Sequence, residues 1–232
     1  MGITYCNLRT KEGGHAMSHI GCIVMASGAS TRFGSNKLMA PFMGKPLIQH
    51  VIETAQTAGL EPIVVTIDDP FHEPILVLCN KLKVRAVTHS GTLQSDTVHR
   101  AMLEVQKDGL GGSPWDGAMF LQGDQPCVRA DSLCALIASF EEHPEVVSRL
   151  SWHGVPGSPI VFPSALFDML CRIQGDKGGS GVFLLCPEYQ ASAALVEAQC
   201  EQELLDVDTP SDLNYLHSAS INGLTTERLG VD

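Results

Sequence analysis

Apolar residues follow two alternating patterns along this chain of 232 residues. Short continuous apolar runs predict buried strands, which we place at residues 20–25, 62–67, 118–121, 146–152 and 158–162. Between them, apolar residues recur at helical spacing and predict helices at residues 45–58, 95–107 and 131–140. Because strands and helices alternate, the sequence predicts an α/β fold: a single-domain, doubly wound, mostly parallel sheet with helices on both faces.

The two ends of the chain are polar and lie outside this pattern. We predict an N-terminal extension at residues 1–19, one folded domain at residues 20–217 and a C-terminal tail at residues 218–232. The extension lacks the apolar core of a secretory signal peptide, and Met17 is an alternative start within it.

Composition narrows the class of protein. The formal net charge is −11, whereas a nucleic-acid surface requires a basic stripe, so we expect no nucleic-acid partner. No unbroken apolar run approaches the length of a membrane span, so we expect no membrane partner. The eight cysteines form no C-x-x-C pair, which indicates reduced thiols in a cytoplasmic protein. Cys127 is either a reactive, ligand-contacting thiol or an inert one.

A glycine-rich loop follows the first predicted strand and reads Ala26-Ser-Gly-Ala-Ser-Thr-Arg-Phe-Gly-Ser-Asn-Lys37. Backbone N–H groups near Gly28 and Gly34, together with the cations Arg32 and Lys37, suit a polyphosphate. The spacing matches neither the Walker A loop nor G-x-G-x-x-G. The alternative is a glycine-rich turn from strand to helix whose two cations are solvated.

Aspartates follow two further apolar segments. Asp124 ends the strand at residues 118–121, and the carboxyl end of a buried strand faces the crevice in which α/β folds bind ligands. Asp208 ends a second segment, which we predict to be a short strand, before a helix with Thr209 as its N-cap and Asp212 at its third position. Mg²⁺ prefers one or two carboxylates together with substrate phosphates, so Asp124 and Asp208 are its candidate ligands, and Asp206 is a weaker one. Alternatively, Asp124 satisfies turn amides before Pro126.

Together these motifs resemble the MobA-like nucleotidyltransferase family, in particular its branch of molybdenum cofactor cytidylyltransferases and molybdenum hydroxylase accessory proteins. Three more stretches carry the resemblance: Gly91-Thr-Leu-Gln-Ser-Asp-Thr97, Gly154-Val-Pro-Gly-Ser-Pro-Ile-Val-Phe162 and Gly175-Asp-Lys-Gly178. The match extends from about Ile20 to Leu216 and implies the Rossmann-like fold of nucleotide-diphospho-sugar transferases. Two departures concern specificity: Ser27 stands where the family commonly has Ala or Gly, and Lys177 is the only obvious cation near residues 175–181.

The resemblance implies an Mg²⁺-dependent enzyme that transfers a nucleoside monophosphate to the phosphate of molybdopterin or molybdenum cofactor and releases pyrophosphate. CMP from CTP is favoured over GMP from GTP, and a molybdenum hydroxylase is a candidate recipient of the product. The implied catalytic residues are Lys37, Arg32 and Asp124, and the implied metal ligands are Asp124 and Asp208. The implied nucleotide-binding residues are Ala26, Ser27, Gly28, Ala29, Ser30, Arg32, Gly34, Lys37, Ser95 and Asp124, and the acceptor-binding residues are Pro156, Gly157, Ser158 and Lys177.

Two other functions remain open from the sequence. In the first alternative, the enzyme transfers the nucleotide to a sugar phosphate or another small phosphorylated metabolite. This alternative is open because a fold does not determine its substrate. The other alternative is a non-catalytic carrier that passes finished molybdenum cofactor to a target enzyme. Retention of Asp124, Asp208 and Lys37 argues against a carrier, which has no need for a site that binds metal and triphosphate.

The segment Gly154–Phe162 also has two interpretations. It is either an acceptor-binding loop or a plain hairpin between two strands.

Overall fold

The computed structural model describes residues 18–27, 33, 36–68, 72–106 and 113–229, with side chains up to residue 219. The strands are β1 Ile20–Ala26, β2 Pro41–Phe42, β3 Lys45–Pro46, β4 Ile63–Asp68, β5 Arg85–His89, β6 Gly117–Gln122, β7 Ser148–Trp152, β8 Val155–Pro163 and β9 Ala194–Glu197. The helices are α1 Leu47–Thr57, α2 His72–Leu82, α3 Gln94–Gln106, α4 Ala130–Glu142, α5 Phe167–Leu170, α6 Pro187–Ala191 and α7 Pro210–Leu229. Short 3-10 turns complete the connections, among them Lys37–Met39 and Glu201–Leu204.

Seven strands form one twisted sheet in the order β5-β4-β1-β6-β8-β7-β9. The half from β5 to β6 is parallel, with β1 at its centre and Val24 paired to both Val65 and Leu121. In the other half β8 is antiparallel to β6 and β7, while β9 is parallel to β7. The prediction of a mostly parallel α/β sheet is therefore confirmed, and its antiparallel pairs are confined to one side of β6.

Helices bury both faces of the sheet, which explains why its central strands are almost continuously apolar. All seven residues of β1 are buried. Its side chains alternate between two clusters, with Val24 packed among residues of α1, α2 and α4 and Ile23 packed among residues of α3 and α5. The backbone of β1 approaches one neighbour closely, because a Cβ at Gly21 would lie 2.2 Å from the ring of Trp115.

The predicted elements agree with the structure except beside the cleft. Residues 205–208 form no strand, so the predicted strand ending at Asp208 is wrong. Its apolar alternation instead reflects packing of Val207 against Phe42 and Leu216. The stretch Gly154–Phe162 is mostly strand β8, and its turn lies at His153 and Gly154, which both have positive φ. The stretch therefore forms a hairpin, and its role in binding the acceptor stays a prediction.

The sequence patterns gave no prediction for α2, β5 or β9, of which β9 is only half-buried. The division of the chain at residues 19 and 217 stays a prediction, although the second boundary falls inside α7. None of the helices in the described parts of the chain is long and apolar enough to cross a membrane.

Candidate functional site

A cleft of about 550 Å³ opens beside the carboxyl ends of β1 and β6. It is lined by Met25, Ser27, Lys37, Gln94, Phe120, Gln122, Asp124, Gln125, Arg149, Gly157, Ser158, Ile160, Phe162, Gly178, Gly179, Ser180, Leu204, Asp206 and Asp208. The lining therefore brings together segments that are far apart in sequence, from the loop after β1 to the segment before α7.

Lys37 lies between two carboxylates in this cleft. Its Nζ donates to Oδ2 of Asp124 at 2.7 Å and to Oδ1 of Asp208 at 2.8 Å. The side chains of Lys37 and Asp124 are 12% and 17% exposed, whereas that of Asp208 is 54% exposed. One ammonium thus links a sheltered carboxylate to a solvated one.

Local backbone structure positions each member of this group. A 3-10 turn begins at Lys37, where the side chain of Asn36 accepts a hydrogen bond from the Leu38 N–H at 3.2 Å. Asp124 follows Gly123, whose N–H donates to the Met25 carbonyl and whose Cβ, if present, would lie 2.9 Å from that oxygen. Only glycine therefore allows the chain after β6 to turn this close to β1.

Asp208 is held by the start of α7. The Val207 N–H donates to the Asp124 carbonyl at 3.0 Å, which joins the two aspartate segments directly. Asp212 accepts hydrogen bonds from the N–H groups of Asp208 and Thr209, and the Thr209 hydroxyl accepts one from the N–H of Asp212. This reciprocal capping is the arrangement that the sequence predicted, and it orders the residues next to the cleft.

Charge at the cleft is predominantly negative. Burial lowers the pKa of Lys37, but the adjacent carboxylates of Asp124 and Asp208 outweigh it and hold that pKa above its usual value. Asp206 is exposed as a residue, but partial desolvation of its carboxyl in the cleft, together with the charges of Asp124 and Asp208, raises its pKa to about 6. Two carboxylates thus pair with one ammonium while a third carboxyl lies nearby, which makes this end of the cleft suited to a further cation.

The donor set fits a hard divalent cation. Asp124 and Asp208 already converge on a single positive atom, and carboxylate oxygens are the ligands that Mg²⁺ prefers. No three carboxylate, His or Cys side chains converge on one point within the described residues. The chain would therefore supply two carboxylates and leave the other positions to substrate phosphates and water, as Mg²⁺ sites commonly do.

On the β1 side of the cleft, a chain of polar groups crosses from the loop to α3. The Thr97 hydroxyl donates to Oγ of Ser27 at 2.6 Å and lies 3.0 Å from Nε2 of His89, at the end of β5. Ser27 thus lines the cleft and accepts a hydrogen bond from Thr97, to which the sequence analysis assigned no role. Ala26 and Ser95 are both buried and lie outside the lining. The residues Gly28, Ala29, Ser30, Arg32 and Gly34 lie outside the described residues.

On the other side of the cleft, the structure redistributes the predicted acceptor residues. Gly157 and Ser158 of β8 line the cleft, but Pro156 is exposed and does not, because it lies next to the hairpin turn. Lys177 is also exposed outside the lining, which is formed instead by the following residues Gly178–Ser180. Cys127 packs beside Phe42 and Val207 and is likewise outside the lining.

The sequence analysis missed a cation at this end of the cleft. Arg149 lies on β7 with a relative exposure of 9% and lines the cleft. The sequence feature that could have identified Arg149 is its position as a charged residue inside a predicted strand. Because arginine is rarely buried without a partner, such a position indicates a ligand or a partner group.

Comparison with known proteins identifies the family. The model of the MobA-like NTP transferase domain matches residues 22–192, which are most of the chain. The chain belongs to this family. The match includes the loop after β1, the Asp124 turn and the β8 segment, and it confirms the resemblance derived from the motifs.

Relatives within and around the family differ in their activities. Purine catabolism protein PucB of Bacillus subtilis (strain 168) is 28% identical over 85% of this chain and 95% of its own length. The 8-amino-3,8-dideoxy-manno-octulosonate cytidylyltransferase of Shewanella piezotolerans is 37% identical, over 53% of this chain and 47% of its own. The Probable molybdenum cofactor guanylyltransferase of Aquifex aeolicus is 23% identical over 84% of this chain and 89% of its own.

Solved structures agree with the family fold. Rv0371c from Mycobacterium tuberculosis H37Rv superposes with a TM-score of 0.72 and 22% identity, covering 87% of this chain and 98% of that one. Its complex with manganese superposes with a TM-score of 0.69 and 20% identity, covering 88% of this chain and 100% of that one. Family membership makes the chain a nucleotidyltransferase with a Rossmann-like fold.

Proposed function

We propose that this nucleotidyltransferase is Mg²⁺-dependent and transfers CMP from CTP to the phosphate of molybdopterin or molybdenum cofactor, releasing pyrophosphate. The observation that carries the proposal is the position of Lys37 between Asp124 and Asp208 at the carboxyl edge of the sheet. A lysine and two aspartates at one point suit a triphosphate and its divalent cation, and a carrier protein would need neither.

The chemistry requires no general base. An oxygen of the acceptor phosphate attacks the α-phosphorus of the nucleotide, and the bond from that phosphorus to the pyrophosphate oxygen breaks in line. Because a phosphate monoester is already ionised near neutral pH, no proton needs to leave the nucleophile. This accounts for a cleft with aspartate and lysine but no predicted Ser-His or Cys-His pair.

The residues of the cleft have separate roles in this proposal. Lys37 binds the triphosphate and stabilises charge that grows on its oxygens in the transition state. Asp124 and Asp208 hold Mg²⁺, which when bound neutralises phosphate charge. Arg32 and the glycine-rich loop from Gly28 to Gly34 complete the triphosphate site, and Ser27 lies beside the nucleoside. The manganese complex of the structural neighbour Rv0371c supports a divalent metal in this fold.

The choice of base and acceptor rests on the relatives and on the resemblance. The printed name of the Aquifex relative supports a molybdenum cofactor acceptor, and that of the Shewanella relatives supports a cytidine nucleotide. The resemblance of residues 154–162 and 175–178 to the molybdenum-cofactor branch supports the same acceptor. We extend the proposal to delivery of the product to a molybdenum hydroxylase and to a cytoplasmic location, which the free cysteines of the described residues support.

A second candidate acceptor is an acidic sugar or a sugar phosphate. It is favoured by the 37% identity to the octulosonate cytidylyltransferase, in an alignment of 125 residues that covers 53% of this chain. The aligned half does not by itself distinguish acceptors, because an acceptor site is assembled from several segments of the fold.

Pyrophosphate release tests the proposal. Wild-type protein is assayed with each of CTP, GTP, ATP and UTP plus Mg²⁺, with molybdopterin, with a sugar acid or with no acceptor. We expect release with CTP and molybdopterin, slowed about a hundredfold or more by Asp124→Asn. Faster turnover with GTP would reassign the base, and faster turnover with the sugar acid would refute the molybdenum-cofactor acceptor.

A further inference from the structure

Arg149 is a buried cation that the mechanism above does not use. It lies in the middle of β7, between the buried residues Ser148 and Leu150. Its side chain leaves the sheet on the face that also carries Ile160 and Phe183, and it reaches the lining of the cleft.

Among the described residues, the guanidinium group contacts only neutral groups. Its Nε and Nη2 both donate to the carbonyl oxygen of Gly157, at 3.3 and 3.2 Å, and its Cζ lies 5.1 Å from the ring centroid of Phe183. Within the described part of the chain, no carboxylate forms an ion pair with Arg149. Since an arginine carries five N–H donors, most of them are left without a protein acceptor.

This arrangement is unusual for a charge in a protein interior. Buried arginines are normally paired with a carboxylate, because removing an unpaired charge from water is costly. Burial lowers the pKa of Arg149, and no carboxylate of the described residues compensates for it. An arginine still remains protonated at neutral pH, so the positive charge persists at the edge of the cleft. The missing counter-charge is therefore expected from a ligand.

The sheet topology separates Arg149 from the triphosphate site. Its strand β7 is two positions from β6 and three from β1 in the sheet. Strands are spaced by about 4.8 Å, so β7 is offset laterally by roughly 10 Å from the strand before Asp124 and roughly 14 Å from the strand before Ser27. Arg149 instead adjoins Gly157 and lines the same end of the cleft as Ser158.

We propose that Arg149 binds an oxyanion of the acceptor molecule. The guanidinium is held by the Gly157 carbonyl, and its remaining N–H groups donate in the fork geometry that matches the oxygens of a phosphate or a carboxylate. The acceptor is accordingly an acidic molecule, recognised either through the phosphate that receives the nucleotide or through a carboxylate. That the bound anion belongs to the acceptor rests on the proposed function, whereas the existence of the anion site does not.

The anion site is tested by nuclear magnetic resonance of wild-type protein labelled with [15N]arginine. The Nε–H signal of Arg149 is assigned by its loss in Arg149→Lys, and the exposed Arg172 provides an internal control. Inorganic phosphate and acetate are titrated separately at constant ionic strength. We expect saturable shifts of Arg149 and not of Arg172, and the anion that shifts it at the lower concentration identifies the class. Unchanged Arg149 signals with both anions would overturn the proposal.

Kinetics test the link to the acceptor. Arg149→Met should raise KM for molybdopterin about tenfold or more, with CTP affinity changed less than about twofold, and Arg149→Lys should recover part of the loss. Arg172→Met is the matched control and should change neither quantity. Equal losses in CTP and acceptor affinity would contradict an acceptor role. If wild-type protein transfers CMP to no acceptor, the proposed function fails, while the titration still decides for or against the anion site.

Discussion

Replacing Asp124 by asparagine removes one negative charge from the centre of the site without changing side-chain volume. Asp124 is the more sheltered of the two carboxylates that contact Lys37, with its side chain 17% exposed against 54% for Asp208. Its charge is therefore less screened by water, and we expect Asp124→Asn to be the most damaging single change at this site. Lys37 retains Asp208 as a partner, so the protein should remain folded.

The expected magnitude follows from the loss of one preorganised electrostatic contact. Such a loss costs about 3 kcal/mol of transition-state stabilisation, which corresponds to a turnover slowed about a hundredfold or more. The assay is pyrophosphate release at saturating CTP and Mg²⁺. Asp131→Asn is the control, because Asp131 is exposed in the first turn of α4 and outside the cleft. Activity of Asp124→Asn within about tenfold of wild type would refute the electrostatic role.

The same variant has a pH signature in stability. The Asp124 carboxylate helps to hold the pKa of Lys37 above its usual value, so the ion pair stabilises the fold below the unfolded lysine pKa of about 10.4. This stabilisation is lost as the pH rises through the folded pKa. We therefore expect urea denaturation to show Asp124→Asn less stable than wild type by about 1–3 kcal/mol at neutral pH, with the difference shrinking above about pH 10.5. A difference independent of pH would contradict this coupling.

Three further predictions concern other residues. Lys37→Ala should weaken CTP binding about tenfold and also slow turnover, and calorimetric titration with unchanged affinity would show that Lys37 does not bind the triphosphate. Gly21→Ala should lower the free energy of unfolding by about 1–3 kcal/mol, because its Cβ would lie 2.2 Å from the Trp115 ring. Adding Trp115→Leu should restore part of the lost stability, and a double variant with no recovery would refute the clash. Burial raises the pKa of Cys79 to about 11 and also raises that of Cys22, so iodoacetamide near neutral pH should label both thiols only in urea, as mass spectrometry of the labelled peptides would show.

Several features of the site follow from local sequence alone. An aspartate directly after a buried strand predicts a position at the carboxyl edge, and Asp124 lies there because a strand fixes the direction in which the chain leaves it. The capping residues Thr209 and Asp212 interact as predicted, because an N-cap depends on residues only three apart. The continuous apolar run of β1 likewise predicted its burial, because a strand that is covered on both faces is apolar at nearly every position.

The order of the strands was decided only by tertiary structure. Hydrophobic periodicity specifies a strand but not its neighbours, so it did not reveal that β8 runs antiparallel between β6 and β7. That order places Gly157 and Ser158 in the cleft and leaves Pro156 outside it. The segment before Asp208 has the alternation of a strand, yet the packing of Val207 against Phe42 accounts for it without any pairing.

Electrostatic environment also required the fold. The sequence shows Asp206 two positions before Asp208, but only the fold places its carboxyl in the cleft near Asp124, where partial desolvation and that neighbouring charge raise its pKa to about 6. Arg149 is a single charge in an apolar strand, and only the register with β8 reveals the Gly157 carbonyl and the open cleft beside it. The sequence alone thus predicted the position of those side chains whose surroundings are formed by residues only a few positions away. The tertiary structure decided those whose environment is assembled from distant strands, because burial and charge pairing depend on which segments meet in space.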